Sequence, residues 1–323
     1  MALTPTAVKR LIRIRSPGLT HNRAVLSSSS STSRSDPRHR IHLVFGANTD
    51  VGKSVVSAGL VRAAAAASKP GVSVNYIKPL QCGGSDESFI MNYRCSKRSD
   101  TDISCTTLFS WETPASPHLA SRVENLPVSD EEVLSSLQSC LYRIEERATR
   151  VTMDREYEMR SITVIETAGG VLSPSSSSPL NKHSHNDVWG WSTQADLYTP
   201  TNIPVVFVGD GRLGGISVSL ASLEALWSRG YRVDALVFIE DFDKGGSIQF
   251  GRENATAVLE HISKPSTVHL SKARPDDFEL IHLPPLPQLP EPLNDWYERT
   301  EGEFLNLHDF LCRRWKGASK ITD

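Results

Sequence analysis

Cysteine is scarce in this chain, and what there is carries no pattern. Cys82, Cys95, Cys105, Cys140 and Cys312 include no C-x-x-C pair and leave an odd total. That argues against a disulfide framework or a zinc site and fits a reducing compartment. Long apolar runs are missing too: none approaches the ~18 residues needed to span a bilayer. Neither sign of charge is in excess, since the formal net charge is −2, so there is no general attraction for nucleic acid or an acidic membrane surface. Acids are nearly absent from residues 1–40, where Lys9, Arg10, Arg13, Arg15, Arg23, Arg34, Arg38 and Arg40 face Asp36 beside a serine tract, Ser27 to Ser31. Arg-rich, Ser-rich and acid-poor, without a secretory apolar core, is the composition of an organellar transit peptide. The expectation is mitochondrial import of a disordered leader over 1–40, with the plastid as the alternative.

What is present is an ordinary globular composition. With 39% hydrophobic and 22% charged residues in 323, there is enough apolar material for one large domain or two smaller ones. Its centre is Gly46-Ala47-Asn48-Thr49-Asp50-Val51-Gly52-Lys53-Ser54. An apolar run, Ile41 to Phe45, precedes it, and Val55, Val56, Leu60 and Val61 follow at helical spacing. Strand, glycine-bounded loop and helix is the context of a phosphate-binding loop. The glycines allow backbone N–H groups to turn toward phosphate oxygens, and the helix N-terminus adds positive potential. Lys53 would reach the outer phosphates, and Ser54 would offer its hydroxyl to Mg²⁺.

Further strands are expected at 72–77, 161–165, 203–208 and 233–239, with the last at 268–270 or 280–283. Helices are expected at 129–148, 220–227 and 249–262, and another after Pro117, with Ser116 available as N-cap. Strands alternating with helices imply an α/β fold, a P-loop NTPase-type three-layer arrangement with a mostly parallel sheet. Residues 88–107 have little periodicity and read as a variable loop. Residues 173–193, rich in Ser, Asn and His, read as an exposed insertion, and His183 and His185 lack companions for a metal site. The domain is expected to run over 41–300, followed by a helical tail at 301–323. Lys78 closes the second strand beside Gly83 and Gly84, and a strand-end lysine there faces the same crevice as the P-loop. Glu166 closes the strand at 161–165, where an acid helps hold Mg²⁺, and Gly169 and Gly170 permit close backbone approach. The Gly-rich loop 209–217 before a helix is a further candidate anion site.

Five residues separate Gly46 from Gly52, one more than in the common P-loop. This G-x-x-T-[DE]-V-G-K-[ST] form resembles dethiobiotin synthetase, and further motifs follow in that family's order. They are Lys78-Pro79-Leu80-Gln81-Cys82-Gly83, Ser85-Asp86, the run from Phe109 to His118, Glu166-Thr167-Ala168-Gly169-Gly170, Leu213 to Ser217, and Leu283-Pro284-Pro285. The resemblance covers roughly 41–310. It implies ATP- and Mg²⁺-dependent carboxylation and ring closure of 7,8-diaminopelargonic acid (7,8-diaminononanoate) with CO₂ or bicarbonate. In this reading Lys53, Lys78 and Thr49 are catalytic, and Gly46, Asn48, Thr49, Asp50, Val51, Gly52, Lys53 and Ser54 bind ATP. Leu283, Pro284 and Pro285 would lie over its base. The substrate would meet Thr49, Lys78, Cys82, Gly169, Gly215, Ile216 and Ser217, the last three at a homodimer interface. Ser54, Asp86 and Glu166 would hold the metal, with Asp100 and Asp102 as competitors for the place of Asp86. Cys82 stands where the family has Thr or Ser, and the Asn that reads adenine in bacterial members is missing near Glu240-Asp241. His118 is expected to be structural. Eukaryotic members commonly fuse this domain to a diaminopelargonate aminotransferase, which makes that enzyme a candidate partner. The rival readings are a non-catalytic nucleotide-binding partner of such a bifunctional enzyme, or another P-loop ATPase.

Overall fold

Strands buried on both faces belong in a parallel sheet covered by helices, and the described residues form a seven-stranded sheet whose five inner strands are buried almost throughout. The computed structural model describes residues 39–69, 71–94, 101–151, 161–179, 189–241, 246, 249–264, 278–288 and 292–318. In chain order these form β1 (His39–Gly46), α1 (Lys53–Ala67), β2 (Ser73–Cys82), α2 (Asp86–Tyr93), β3 (Asp102–Trp111), α3 (Pro117–Val123), α4 (Asp130–Val151) and β4 (Ser161–Gly170). A small hairpin, β5 (Pro174–Pro179) and β6 (Trp189–Thr193), comes next, then α5 (Gln194–Tyr198), β7 (Val205–Val208), α6 (Gly215–Ser228) and β8 (Val233–Ile239). The chain continues with α7 (Phe250–Ile262), β9 (Glu279–Leu283), α8 (Leu293–Arg299) and α9 (Glu301–Ala318).

The main sheet has the order β3-β2-β4-β1-β7-β8-β9, and every pairing in it is parallel. All its strands therefore end on one side. The strand order turns at β1, the position where open α/β sheets leave a crevice for ligands. Leu43, Phe45, Ile77, Ile165 and Phe207 fill one face, whereas Val44, Tyr76, Val164, Val206 and Val237 fill the other. This is the α/β three-layer fold expected from the sequence.

Several local expectations are corrected. Strand β1 begins at His39, inside the stretch assigned to the leader, because His39 and Arg40 pair with Ser161 and Ile162 and are buried. Residues 88–107 are not simply a loop: α2 is capped by Ser85, whose hydroxyl accepts from Ser88 N at 3.1 Å, and β3 follows. Strand β3 pairs with β2 alone, so its half-buried Ser, Cys and Thr residues mask the usual alternation. The segment 173–193 is not an exposed insertion throughout. Ser175, Ser176 and Ser177 are buried, and Ser175 Oγ donates to Asp130 Oδ1 at 3.0 Å while Ser177 Oγ donates to His118 O at 2.9 Å. His183 and His185 lie outside the described residues, as does the alternative last strand at 268–270. Ser116 stands at the N-cap of α3 but makes no side-chain cap there; its hydroxyl is 2.8 Å from His118 Nδ1 instead. Helix α9 buries Phe304, Leu307 and Phe310 against the α1 side of the sheet.

Candidate active site

The loop between β1 and α1 is shaped by contacts that a side chain would break. A Cβ on Gly46 would come within 2.8 Å of Val51, and one on Gly52, at φ +94°, within 2.4 Å of Ile239 Cδ1 on β8. Asp50 also takes a left-handed backbone, at φ 57°. Helix α1 starts directly at Lys53, and Gly52 caps it with no side chain. The first-turn N–H groups of a helix have no intrahelical acceptors, so this end presents donors and positive potential to an anion. Asn48, Thr49 and Asp50 are exposed at the loop's rim, whereas Val51 and Lys53 are buried.

Six side chains from four elements, α1, β2, α2 and β4, converge beside this loop. Glu166, fully enclosed within β4, accepts from Ser54 Oγ at 2.8 Å and Lys78 Nζ at 2.9 Å through one oxygen. Its other oxygen accepts from Tyr76 OH at 3.0 Å. Lys78 also lies 2.7 Å from Asp86 Oδ2 and donates to Thr167 O at 3.3 Å, which occupies all three ammonium protons. Lys53 Nζ donates to Asn48 O at 3.1 Å.

The electrostatics follow from burial and charge pairing. Burial and the neighbouring Lys78 charge lower the Lys53 pKa to about 8. Burial also disfavours the Lys78 cation, yet Glu166 and Asp86 outweigh it and hold its pKa above the ordinary value. Glu166 is the mirror case: burial opposes its charge, but Lys78, then Lys53 and the Ser54 hydroxyl, keep it below the usual carboxylate range. Burial pushes the Cys82 thiol up to about 12, leaving it a neutral, weak donor.

Other sequence candidates sit on neighbouring strand ends. A Cβ on Gly169, at φ +66°, would fall 2.6 Å from Ser173 Oγ and 3.8 Å from Thr49 Oγ1, so Gly169 flanks the P-loop rim. Gly215 opens α6, and a Cβ there would collide with Asp210 O at 1.9 Å; Ile216 and Ser217 follow on its exposed first turn. Asp102 starts β3 opposite Ser73, at the end of the sheet away from the P-loop, which removes it as a rival to Asp86. Asp100 lies outside the described residues. Leu283 is fully buried, and Pro284 and Pro285 direct their carbonyls to Trp296 Nε1 at 3.2 and 2.9 Å. The side chain of Leu283 thus anchors the loop in the core and does not face a ligand. His118, whose ring lies 5.7 Å from that of Trp191, joins α3 to the hairpin.

Two residues at the site were not singled out from sequence. Tyr76 is two positions before Lys78, so strand alternation places both on one face, and that signal was available. Arg212 is gripped by Asp210 through Nε and Nη2, both at 2.8 Å, and its Nη2 reaches Thr49 O at 3.4 Å. Only the fold brings that cation to the P-loop.

A strand-to-helix glycine loop, with a lysine and a hydroxyl at the helix start and an acid on a neighbouring parallel strand, defines a P-loop nucleotide-binding protein. The chain matches the AAA domain family over residues 40–273 and belongs to it. It is 33% identical to a bifunctional dethiobiotin synthetase/7,8-diamino-pelargonic acid aminotransferase, mitochondrial, of Oryza sativa subsp. japonica, over 83% of this chain and 33% of that protein. The protein of the same description from Arabidopsis thaliana is 30% identical over 97% of this chain and 40% of its own length. An ATP-dependent dethiobiotin synthetase of Agrobacterium fabrum is 28% identical over 83% of this chain and 96% of the relative. The chain thus spans about a third to two fifths of the two plant relatives. These matches bear out the resemblance to the dethiobiotin synthetases.

Proposed function

We propose that this chain is an ATP-dependent dethiobiotin synthetase that closes the cyclic urea on 7,8-diaminopelargonic acid with CO₂. The observation that carries the reading is the convergence of Lys53, Lys78, Ser54 and Glu166 at the sheet's crevice. Its match to the bacterial enzyme along nearly that protein's full length favours a catalyst over a non-catalytic partner. One amine of the substrate takes up CO₂ as a carbamate, and the carbamate oxygen accepts the terminal phosphoryl group of ATP. The second amine then attacks the carbonyl carbon, expels phosphate and closes the ring.

Such chemistry needs charge neutralisation and positioning more than covalent help. The P-loop amides and Lys53 would bind the triphosphate, with Arg212 as a further cation at the rim. Lys78 would hold the carbamate, and Thr49 would face it beside Gly169. Gly215, Ile216 and Ser217 would receive the substrate carboxylate from the partner protomer of a homodimer. The donors around Lys78 suit Mg²⁺: they are oxygens, two carboxylates and a hydroxyl, and Mg²⁺ is usually held by one or two carboxylates plus phosphates. Ser54, Asp86 and Glu166 would hold it, and when bound it would neutralise charge on the phosphate oxygens. The mitochondrial designation of the plant relatives favours import of this chain into that organelle over the plastid. A diaminopelargonate aminotransferase, the second activity in their names, is the proposed supplier of the diamine.

The test is turnover of the purified protein with ATP, Mg²⁺, bicarbonate and the diamine, following dethiobiotin by mass spectrometry. Diamine-dependent product that disappears in Lys53→Ala is expected. Nucleotide binding without product would overturn the reading in favour of a non-catalytic role.

A further inference from the structure

The fold treats the two oxygens of Glu166 differently. Oε1 accepts from Ser54 Oγ and Lys78 Nζ, the groups assigned to the metal and the carbamate. Oε2 accepts from Tyr76 OH at 3.0 Å, and no other donor meets it among the described residues. Glu166 is 1% exposed and Tyr76 0%, so solvent supplies no substitute for that phenol.

The tyrosine is firmly held. In the sheet it pairs with Cys105 of β3 on one side and Val164 of β4 on the other. Its ring belongs to the apolar cluster that includes Val56 of α1 and Ile90 of α2, and close-packed interiors keep side chains in rotamer minima. The hydroxyl therefore meets Oε2 from a fixed position. Ser54 and Lys78 do not divide the carboxylate in this way, since both donate to Oε1.

How many oxygens a carboxylate offers bears on which cation it holds. Mg²⁺ demands near-octahedral geometry at short distances, whereas Ca²⁺ takes more oxygens and accepts both from one carboxylate. On the assignment of Glu166 to the metal made above, we propose that Tyr76 is a positioning residue that sets metal specificity. Its hydroxyl occupies Oε2, keeps Glu166 a one-oxygen ligand, and so favours Mg²⁺ over larger divalent cations such as Ca²⁺. Without the hydroxyl, Oε2 is a buried polar atom with no donor, a costly state, and a cation beside Oε1 is its available partner. Tyr76→Phe thus opens the two-oxygen mode that suits Ca²⁺.

The test is isothermal titration of the full chain with a non-hydrolysable ATP analogue, metal-free and as its Mg²⁺ and Ca²⁺ complexes, in the parent and in Tyr76→Phe. In the parent, Mg²⁺ should improve affinity for the analogue roughly tenfold more than Ca²⁺ does. In Tyr76→Phe the Mg²⁺ gain should fall roughly fivefold or more while the Ca²⁺ gain holds or rises. Affinity for the metal-free analogue should not change, because Tyr76 lies outside the P-loop. Equal loss of both metal gains would make Tyr76 a structural support of Glu166 alone and overturn the proposal. Gains left unchanged by Tyr76→Phe would overturn it too, as would a parent that gains equally from the two ions. A parent that gains from neither ion would remove the metal site itself, and the role of Tyr76 with it. A parent that shows the Mg²⁺ preference, loses it in Tyr76→Phe and yet forms no dethiobiotin would overturn the proposed reaction and leave the role of Tyr76 supported.

Discussion

Lys53 sits buried beside Lys78 while its ammonium donates to a single backbone carbonyl at 3.1 Å. Burial and that like charge bring its pKa to about 8, below the ordinary 10.5. The sign of the linkage is therefore unfavourable to folding below about pH 8, where the ammonium must be buried charged, and the cost is relieved as pH rises toward 10.5. A bound triphosphate places opposite charge next to Lys53 and raises its pKa again. At pH 8.5 the nucleotide's terminal phosphate is already deprotonated, so binding should draw about 0.7 of a proton onto Lys53. Calorimetric titration with ATP in buffers of differing ionisation enthalpy measures that uptake. It should vanish at pH 6.5, and in Lys53→Met at either pH. Binding at pH 8.5 without proton uptake would mean that Lys53 does not meet the phosphates.

Helix α1 carries Lys53 and Ser54 at its start and a packing site for α9 in its middle. Gly59 is the contact point: a Cβ there would lie 2.2 Å from the Phe304 ring. Glycine inside a helix is ordinarily about 1 kcal/mol worse than alanine, so Gly59→Ala would stabilise an isolated helix. Here the overlap with Phe304 outweighs propensity, because overpacked cores typically lose about 1–3 kcal/mol. Urea unfolding should show Gly59→Ala less stable than the parent, and Gly59→Ala with Phe304→Leu recovering part of the loss. A stabilised single variant would contradict the packing of α9 on α1. The same elements explain what was legible in the sequence. Strands β1, β4, β7 and β8 announce themselves because both faces are buried and each has a largely apolar stretch, such as Leu43 to Phe45 or Val205 to Val208. Helix α4 does so through its one-sided stripe. Strand β3 and the β5–β6 hairpin do not, since their stability rests on serine and threonine hydroxyls whose partners, such as Asp130 and the His118 carbonyl, are remote in sequence. At the site, Lys53, Ser54, Lys78 and Glu166 were visible as strand-end or helix-start residues in a known spacing. The hydrogen bond from Tyr76 and the reach of Arg212 to Thr49 depend on strand order and loop course, which no local pattern encodes.

Viewed as a whole, the molecule leaves apolar side chains exposed on the side where its strands end. Leu213, on the loop after β7, is 82% exposed, and Leu172, just after β4, is 51% exposed. A solitary exposed leucine is ordinary. These two, however, flank the crevice, and Leu213 leads directly into Gly215 and the exposed first turn of α6, the proposed carboxylate subsite. If a second protomer covers this face and lends its α6 turn to the neighbouring crevice, dimerisation and turnover are coupled whereas nucleotide binding, built within one chain, is not. Leu213→Asp should then be monomeric by light scattering and lose turnover roughly hundredfold or more, the scale of a misplaced substrate. Its ATP affinity should stay within about twofold of the parent, since the P-loop, Lys53 and Ser54 are untouched, a twofold change being well under 1 kcal/mol. A monomeric variant with full turnover would show that each chain completes its own substrate site. A parent protein that is itself monomeric at assay concentration would remove the shared site altogether and leave the substrate carboxylate to groups within one chain, with the Arg212 cation as the first alternative.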